Sequence, residues 1–586
     1  KVLVVHDGST AGGTPLMKES GHSADVIFNS VSVGKGANSV AGNTVLGETA
    51  LDAAVTGGDN TAIGNNALTA LTSATGNVAV GHDTLKSNTT GNSQVAIGDS
   101  ALLTNTTGAD NVAVGGFALY SNTTASNNTG LGRRALFANT TGTANVAVGA
   151  GALDANTTAS NLTAVGKDAL GTNTTGGENT AVGYISLFDN TTGSRNTAIG
   201  NFSLESNTTG NDNTGLGKGA LQKTTTASNN TAVGSAALKE NTTGASNVAV
   251  GAEALDANTT ADNNTAVGKS SLGSNTTGAN NTAVGQAALA TNITSSDNTA
   301  VGRAALSATT GDSNTAVGKG ALENNSSASN NTAVGKDALL ANTTGSENTA
   351  SGRNSLYSNT TGSSNTAFGQ RALAGNTTAS NNTAVGNQAL YVNTTGTRNT
   401  AVGTNVLDAA TSADDNTAVG FEALTSVTTG SDNTAFGKDA LYHLTTAQFN
   451  TAVGKDALTA TTTGDQNTGI GSNALINNTT GSLNVGVGRS AGSNISTGTK
   501  NTCVGTTGPV STGHHNTLLG FNAGEAASPS GQITTQSGNF VLGDNNVSNL
   551  FCADTSISSS DQRDKTDISD FTIGLTWINA LRPVTY

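Results

Sequence analysis

The sequence predicts an all-β chain: a parallel β-solenoid, or β-roll, of about 28 coils. Three observations predict it. A 17-residue period runs through most of the 586 residues almost without insertions. Each period places the same few residue types at the same offsets. Those residues form strands and turns, and none of the periods holds a stretch long enough for a stable helix.

The glycine closing each Asn-Thr-Ala-Val-Gly motif marks the repeat. From Gly47 to Gly302 there are 15 intervals of 17 residues, then one of 16 to Gly318, then 11 of 17 to Gly505. Asn lies four before the marker (Asn60, Asn111, Asn348, Asn433), with Gln94 and Leu162 as departures. Ala and usually Val follow, and Leu comes four after the marker from Leu51 to Leu475. Asn-Thr-Thr-Gly, as at Asn88–Gly91, or Asn-Thr-Thr-Ala-Ser, as at Asn122–Ser126, completes the unit. Asn-Thr-Ala-Val is β-compatible, the glycine gives a bend or close approach, and Asn-Thr-Thr-Gly is turn chemistry. Each unit therefore reads as one coil, with Val and Leu facing inward and Asn stacking on Asn between coils. At one strand spacing of about 4.8 Å per coil, the rod is on the order of 130 Å long.

Glycine supplies 75 residues, aromatics 3 %, charged residues 11 % and proline 4 residues, a composition that suits disorder better than a large core. Strict periodicity argues against disorder. One coil buries too little to order itself, so ladders between coils and burial against other chains must add to it. Oligomerisation follows, with the apolar stripes of several chains meeting on an axis.

The net charge of -14 disfavours nucleic acid and anionic membranes as partners. No run reaches the apolar length of a membrane span, so no membrane insertion is expected. The opening Lys1–Thr10 has no signal-peptide layout and no initiator Met, which suggests a chain that begins partway into a longer protein. Cys503 and Cys552 are too few for a disulfide framework or zinc site, and Cys503 stands where other coils place Ala, as a small buried filler. Asp keeps no constant offset, which disfavours calcium repeats, and no cofactor or metal is expected. His514 and His515 are set as a loop pair against an axial metal site in a trimer. Asn-x-Thr triplets at Asn88, Asn105 and Asn122 match glycan acceptors, but turn and ladder roles account for them better. The threonines are adjacent and lie in a turn, which disfavours an ice-binding file. Tyr120, Phe137, Phe188, Tyr357, Tyr391 and Tyr442 all fall five after a marker, as sugar-stacking platforms or as shields for the edge of the stripe.

The Asn-Thr-Ala-Val-Gly ladder, and especially Asn29–Gly47 with its 13-residue step from Gly34, resembles the head repeats of YadA-like trimeric adhesins. That resemblance implies a left-handed β-roll and a homotrimeric fibre. After Gly505 the marker spacing changes to 15 and then 23 residues, and Pro509 and Pro529 fall there. Irregular loops at the tip of a rod commonly carry recognition, so residues 506–555 are the expected receptor contact.

Ser558–Tyr586 resembles the opening of the endosialidase-type intramolecular chaperone at the C-termini of phage tail fibres and tailspikes. The family trimerises and then cuts itself before the Ser of a Ser-Asp-x-x-x-Lys motif. Carried over, the resemblance makes Ser560 the nucleophile and Lys565 its base. A Lys amine takes a proton only if its pKa falls, and Asp561 and Asp564 push the other way.

The organisation expected is a connector at 1–28, the shaft at 29–505, an irregular β tip at 506–557 and the chaperone start at 558–586. The function implied is a homotrimeric phage tail fibre on the virion, joined upstream to a tail or baseplate protein and attaching to a host-surface glycan or protein receptor. A cell-surface trimeric adhesin with the same shaft is the alternative. A polysaccharide-cleaving enzyme is disfavoured because no carboxylate pair is held at one fixed place in a uniform shaft.

Overall fold

The computed structural model describes residues 25–548 apart from 527 and 529, together with the short antiparallel pair Val4–Val5 and Thr14–Pro15. Thirty short strands, from Thr44–Gly47 to Phe540–Leu542, each pair in parallel with the next. The stack is a parallel β-solenoid, regular over about 28 turns. Register is held by identity: Thr163 lies opposite Thr180, Ala164 opposite Ala181 and Val165 opposite Val182. The 16-residue interval does not shift it, since Thr299 still faces Thr315.

Strand alternation decides which residues make the core. In the coil around Gly335, Asn331, Ala333, Ala338 and Leu339 are buried, whereas Val334 is 40 % exposed. Leu faces inward as expected, but Val does not. Asn331 and Ala333 are two apart and share the inner face, so Val334, one further on, must point out. The core is consequently Ala, Leu and Asn, thin enough that adjacent walls pack closely.

Asn forms the expected ladders. The backbone N–H of Asn348 donates to Oδ1 of Asn331 on the coil before (2.9 Å), and its Nδ2 donates to the carbonyl of Gly362 (2.8 Å). A Thr ladder runs beside it, with the Thr343 hydroxyl donating to the Thr360 carbonyl (2.9 Å). Buried amides are costly unless paired, and here pairing between coils is what makes an Asn-lined interior stable.

Three non-glycine residues in most coils hold left-handed backbone, as Asn330 (φ 60°), Asp337 (φ 55°) and Leu339 (φ 50°) do. Bulky residues rarely adopt it. The alternation aims successive N–H groups in opposite directions: Asp337 donates back to Lys319 (2.9 Å), and Leu339 forward to Ser355 (3.0 Å). Both neighbouring coils are thereby stitched through one short segment.

The N-terminal end departs from the expected β-roll. Val26–Phe28 and Val31–Gly34 form an antiparallel hairpin, and Val31–Gly34 then pairs antiparallel with Thr44–Gly47. Asn29 and Ser30 both have positive φ (49° and 67°), the backbone of a two-residue hairpin turn that reverses the chain. So Val31–Gly34 does not add a parallel coil; the hairpin covers the first edge of the stack, at Thr44–Gly47, an edge that would otherwise offer free pairing groups. At the other end the marker spacing changes after Gly505 while the stack continues, with Thr517–Leu519 on Thr502–Val504 and Phe540–Leu542 on Thr517–Leu519.

Candidate functional site

The outward face of the strands carries an exposed apolar column. The residue before each marker projects from it, and it is apolar in nearly every coil: Val, Ile, Leu or Phe, with Ser351 as an exception. Phe368 is 46 % exposed and Phe436 55 %. Soluble monomers rarely expose contiguous apolar patches beyond a few hundred Å2. At roughly 50 Å2 for each outward side chain, this column amounts to on the order of 1,500 Å2, above the ~800 Å2 per partner of a stable interface. The stripe anticipated from Val exists, but it lies outside the coil, and alternation applied to Asn and Ala would have placed it there.

The face after the marker carries the aromatics. Tyr120 stacks on Phe137 (5.2 Å between centroids), and Arg134 lies 4.0 Å over Phe137 while donating twice to Asp154 (2.9 Å each). Tyr442 meets His443 edge-on (4.7 Å). These rings cover the flank of the stack and one another, as a shield would. Tyr357 and Tyr391 have no aromatic neighbour within the described residues and stand apart on either side of a recess.

Acidic groups on this face meet in twos, at Asp189 and Glu205, Asp256 and Glu253, and Asp408 and Glu422. Burial holds Asp189, Asp256 and Asp408 above the usual carboxylate range, helped by Glu205, Glu253 and Glu422 respectively. Among the described residues no cluster of three His, Cys, Asp or Glu side chains is arranged to hold a metal ion. His514 accepts at Nδ1 from the Thr499 backbone N–H (3.0 Å), which ties it to the preceding coil, and His515 follows with positive φ.

Asn88, Asn105 and Asn122 are fully buried within a ladder, so none can carry a glycan in the folded solenoid. Cys503 is a free, buried thiol in the Ala position of its strand, and burial pushes its pKa up to about 11. Among the described residues of the expected receptor contact, Phe521, Phe540 and Val547 are exposed. Cys552, Ser560 and Lys565 lie outside the described residues. No helix among the described residues is long and apolar enough to cross a membrane. No family model, curated protein or solved structure matches this chain.

Proposed function

We propose that the solenoid is the shaft of a homotrimeric fibre, a phage tail fibre that attaches the virion to a host surface. The exposed apolar column carries this reading. It runs the length of the stack on one face, and copies of the chain packed column to column would remove it from water. The Ser558–Tyr586 resemblance supports trimerisation through a C-terminal chaperone, with Ser560 and Lys565 as its self-cleaving pair. The fibre works by display, not by turnover of a substrate.

Sedimentation velocity tests the assembly. The chain is expected to run as a trimer, and Val301→Glu with Val334→Glu, which put carboxylates into the column, is expected to shift it toward monomer. A wild-type monomer at micromolar concentration sinks the reading. Mass measurement of the full gene product, wild type against Ser560→Ala, tests the cleavage: loss of a C-terminal fragment in wild type alone supports it, and an intact wild-type chain overturns it.

A further inference from the structure

The coil between Tyr357 and Tyr391 differs from its neighbours. Both tyrosines fall five after a marker, two coils apart, and the intervening coil has Ala374 at that position and Gly375 after it. Gly375 alone among the regular coils puts glycine there. Its N–H donates to the Tyr391 carbonyl (2.8 Å), and an added Cβ would lie 2.8 Å from that oxygen and 3.0 Å from Val392 Cα. The backbone is therefore drawn close to the next coil. Ala374 forms a floor only 8 % exposed. The result is an open cleft of about 510 Å3 between the two rings, with Asn354, Ser358, Arg371 and Thr394 at its margin.

Charge distinguishes it further. Residues 348–407 contain no Asp or Glu and three arginines, in a chain whose net charge is -14. Arg398 is paired with Asp415 (2.7 Å), but Arg371 is in no ion pair among the described residues. Its guanidinium lies 5.9 Å from the Tyr391 ring centroid, at the mouth of the cleft. The carboxylates flanking this segment along the chain are Glu347, before Asn354, and Asp408, in the coil beyond Tyr391.

We propose that this cleft binds a carboxylate-bearing pyranose, a uronic or sialic acid unit of an anionic saccharide. Two coils set the tyrosines about 9.6 Å apart. A planar base clamped by two rings needs about 7 Å, and a puckered sugar ring with contact at ~4 Å on each face needs more, so the gap fits the thicker ring. Tyrosine faces meet the C–H side of the sugar, Asn354, Ser358 and Thr394 meet its hydroxyls, and Arg371 supplies the planar fork for its carboxylate. An aromatic-lined recess with a few convergent polar groups is the ordinary make-up of a small-ligand site. None of these residues lies on the strand face, so column packing leaves the cleft open. The assignment deepens the attachment reading and rests on it for the source of the sugar.

Saturation-transfer NMR and calorimetry on the whole chain test it, with 3′-sialyllactose, a hyaluronan hexasaccharide and neutral maltohexaose as probes. At least one acidic probe is expected to bind, and more tightly than maltohexaose. Arg371→Gln is expected to weaken it at least tenfold. Ala374→Phe fills the floor at a position where Phe137 and Phe188 already show that the fold accepts the ring, and is expected to abolish binding. No binding by either acidic probe, equal binding of maltohexaose, or retained binding in Ala374→Phe overturns the proposal. Sedimentation of the same samples separates the two ideas: a trimer that binds no acidic sugar defeats the cleft alone, and a monomer that binds defeats the fibre alone.

Discussion

Asn359 donates from Nδ2 to Oδ1 of Asn342 on the coil before (2.7 Å) and to the carbonyl of Gly362 within its own turn (2.9 Å). The same Gly362 carbonyl also accepts from Nδ2 of Asn348 (2.8 Å). One carbonyl thus joins the two Asn ladders, and the polar interior is a single network that neither ladder sustains alone.

Asn342→Ala is expected to destabilise the coils around it by about 2 to 4 kcal/mol. It removes the donations of Asn342 to Asn325 (2.9 Å) and Gly345 (2.9 Å) as well as the acceptor for Asn359, leaving buried polar atoms short of partners. Asn342→Thr is expected to cost less, because Thr309 already fills this position and accepts from Asn325 (3.1 Å). Amide hydrogen exchange reads the effect coil by coil, and equal protection in Asn342→Ala and wild type would refute it.

Thr224 interrupts the same ladder. Its hydroxyl is buried without a partner, and so is Oδ1 of Asn207 on the coil before. Thr224→Asn supplies a donor to Asn207 and an acceptor for Asn241, in a slot that adjoining coils fill with Asn. The expected gain is about 1 to 2 kcal/mol. Slower local exchange between residues 207 and 241 checks it, and faster exchange there would show that the amide does not fit.

How much of this was legible from sequence depends on which rule each residue obeys. Leu339 could be placed inward from period and hydrophobicity together. Val334 could not be placed by hydrophobicity, because a three-residue strand obeys alternation first, and the buried partners of Ala333 are amides. Leu339 in left-handed backbone has no sequence signal, since only the inter-coil bonds at both its flanks justify it. The hairpin at Asn29–Ser30 hides inside a motif that looks like another coil. The Ala374–Gly375 recess becomes visible only once coils are stacked and the column of fifth residues can be read vertically.

The marker glycines and the turn glycines should respond differently to a methyl group. Gly335 has φ of +134°, and a Cβ there would lie 2.6 Å from the Gly352 carbonyl oxygen, whereas Gly76 has φ of +70° with nothing within 4 Å. Gly335→Ala combines strain with a backbone clash and is expected to cost more than about 4 kcal/mol, opening the adjacent coils to protease. Gly76→Ala is expected to cost about 1 kcal/mol. Comparable proteolysis of the two variants would contradict the close-approach account.

Cys503 should make stability depend on alkaline pH. Its thiol is pushed by burial from the ordinary 9.0 up to about 11, with a smaller opposing effect from Thr507. The folded state therefore keeps its proton more tightly than the unfolded chain. The contribution is complete below pH 9, falls as the unfolded thiol ionises, and is lost by pH 11, on the order of 3 kcal/mol in all. In a Cys552→Ser background, the stability of the chain relative to its Cys503→Ala counterpart is expected to be constant from pH 7 to 8.5 and to decline between pH 9 and 11. Denaturant unfolding of the two chains at matched pH cancels the other ionising groups. The thiol is also expected to resist a disulfide reagent at pH 8 until the coil opens, so labelling at the rate of a free thiol would show that the Ala slot around Gly486 and Leu518 is not closed over it.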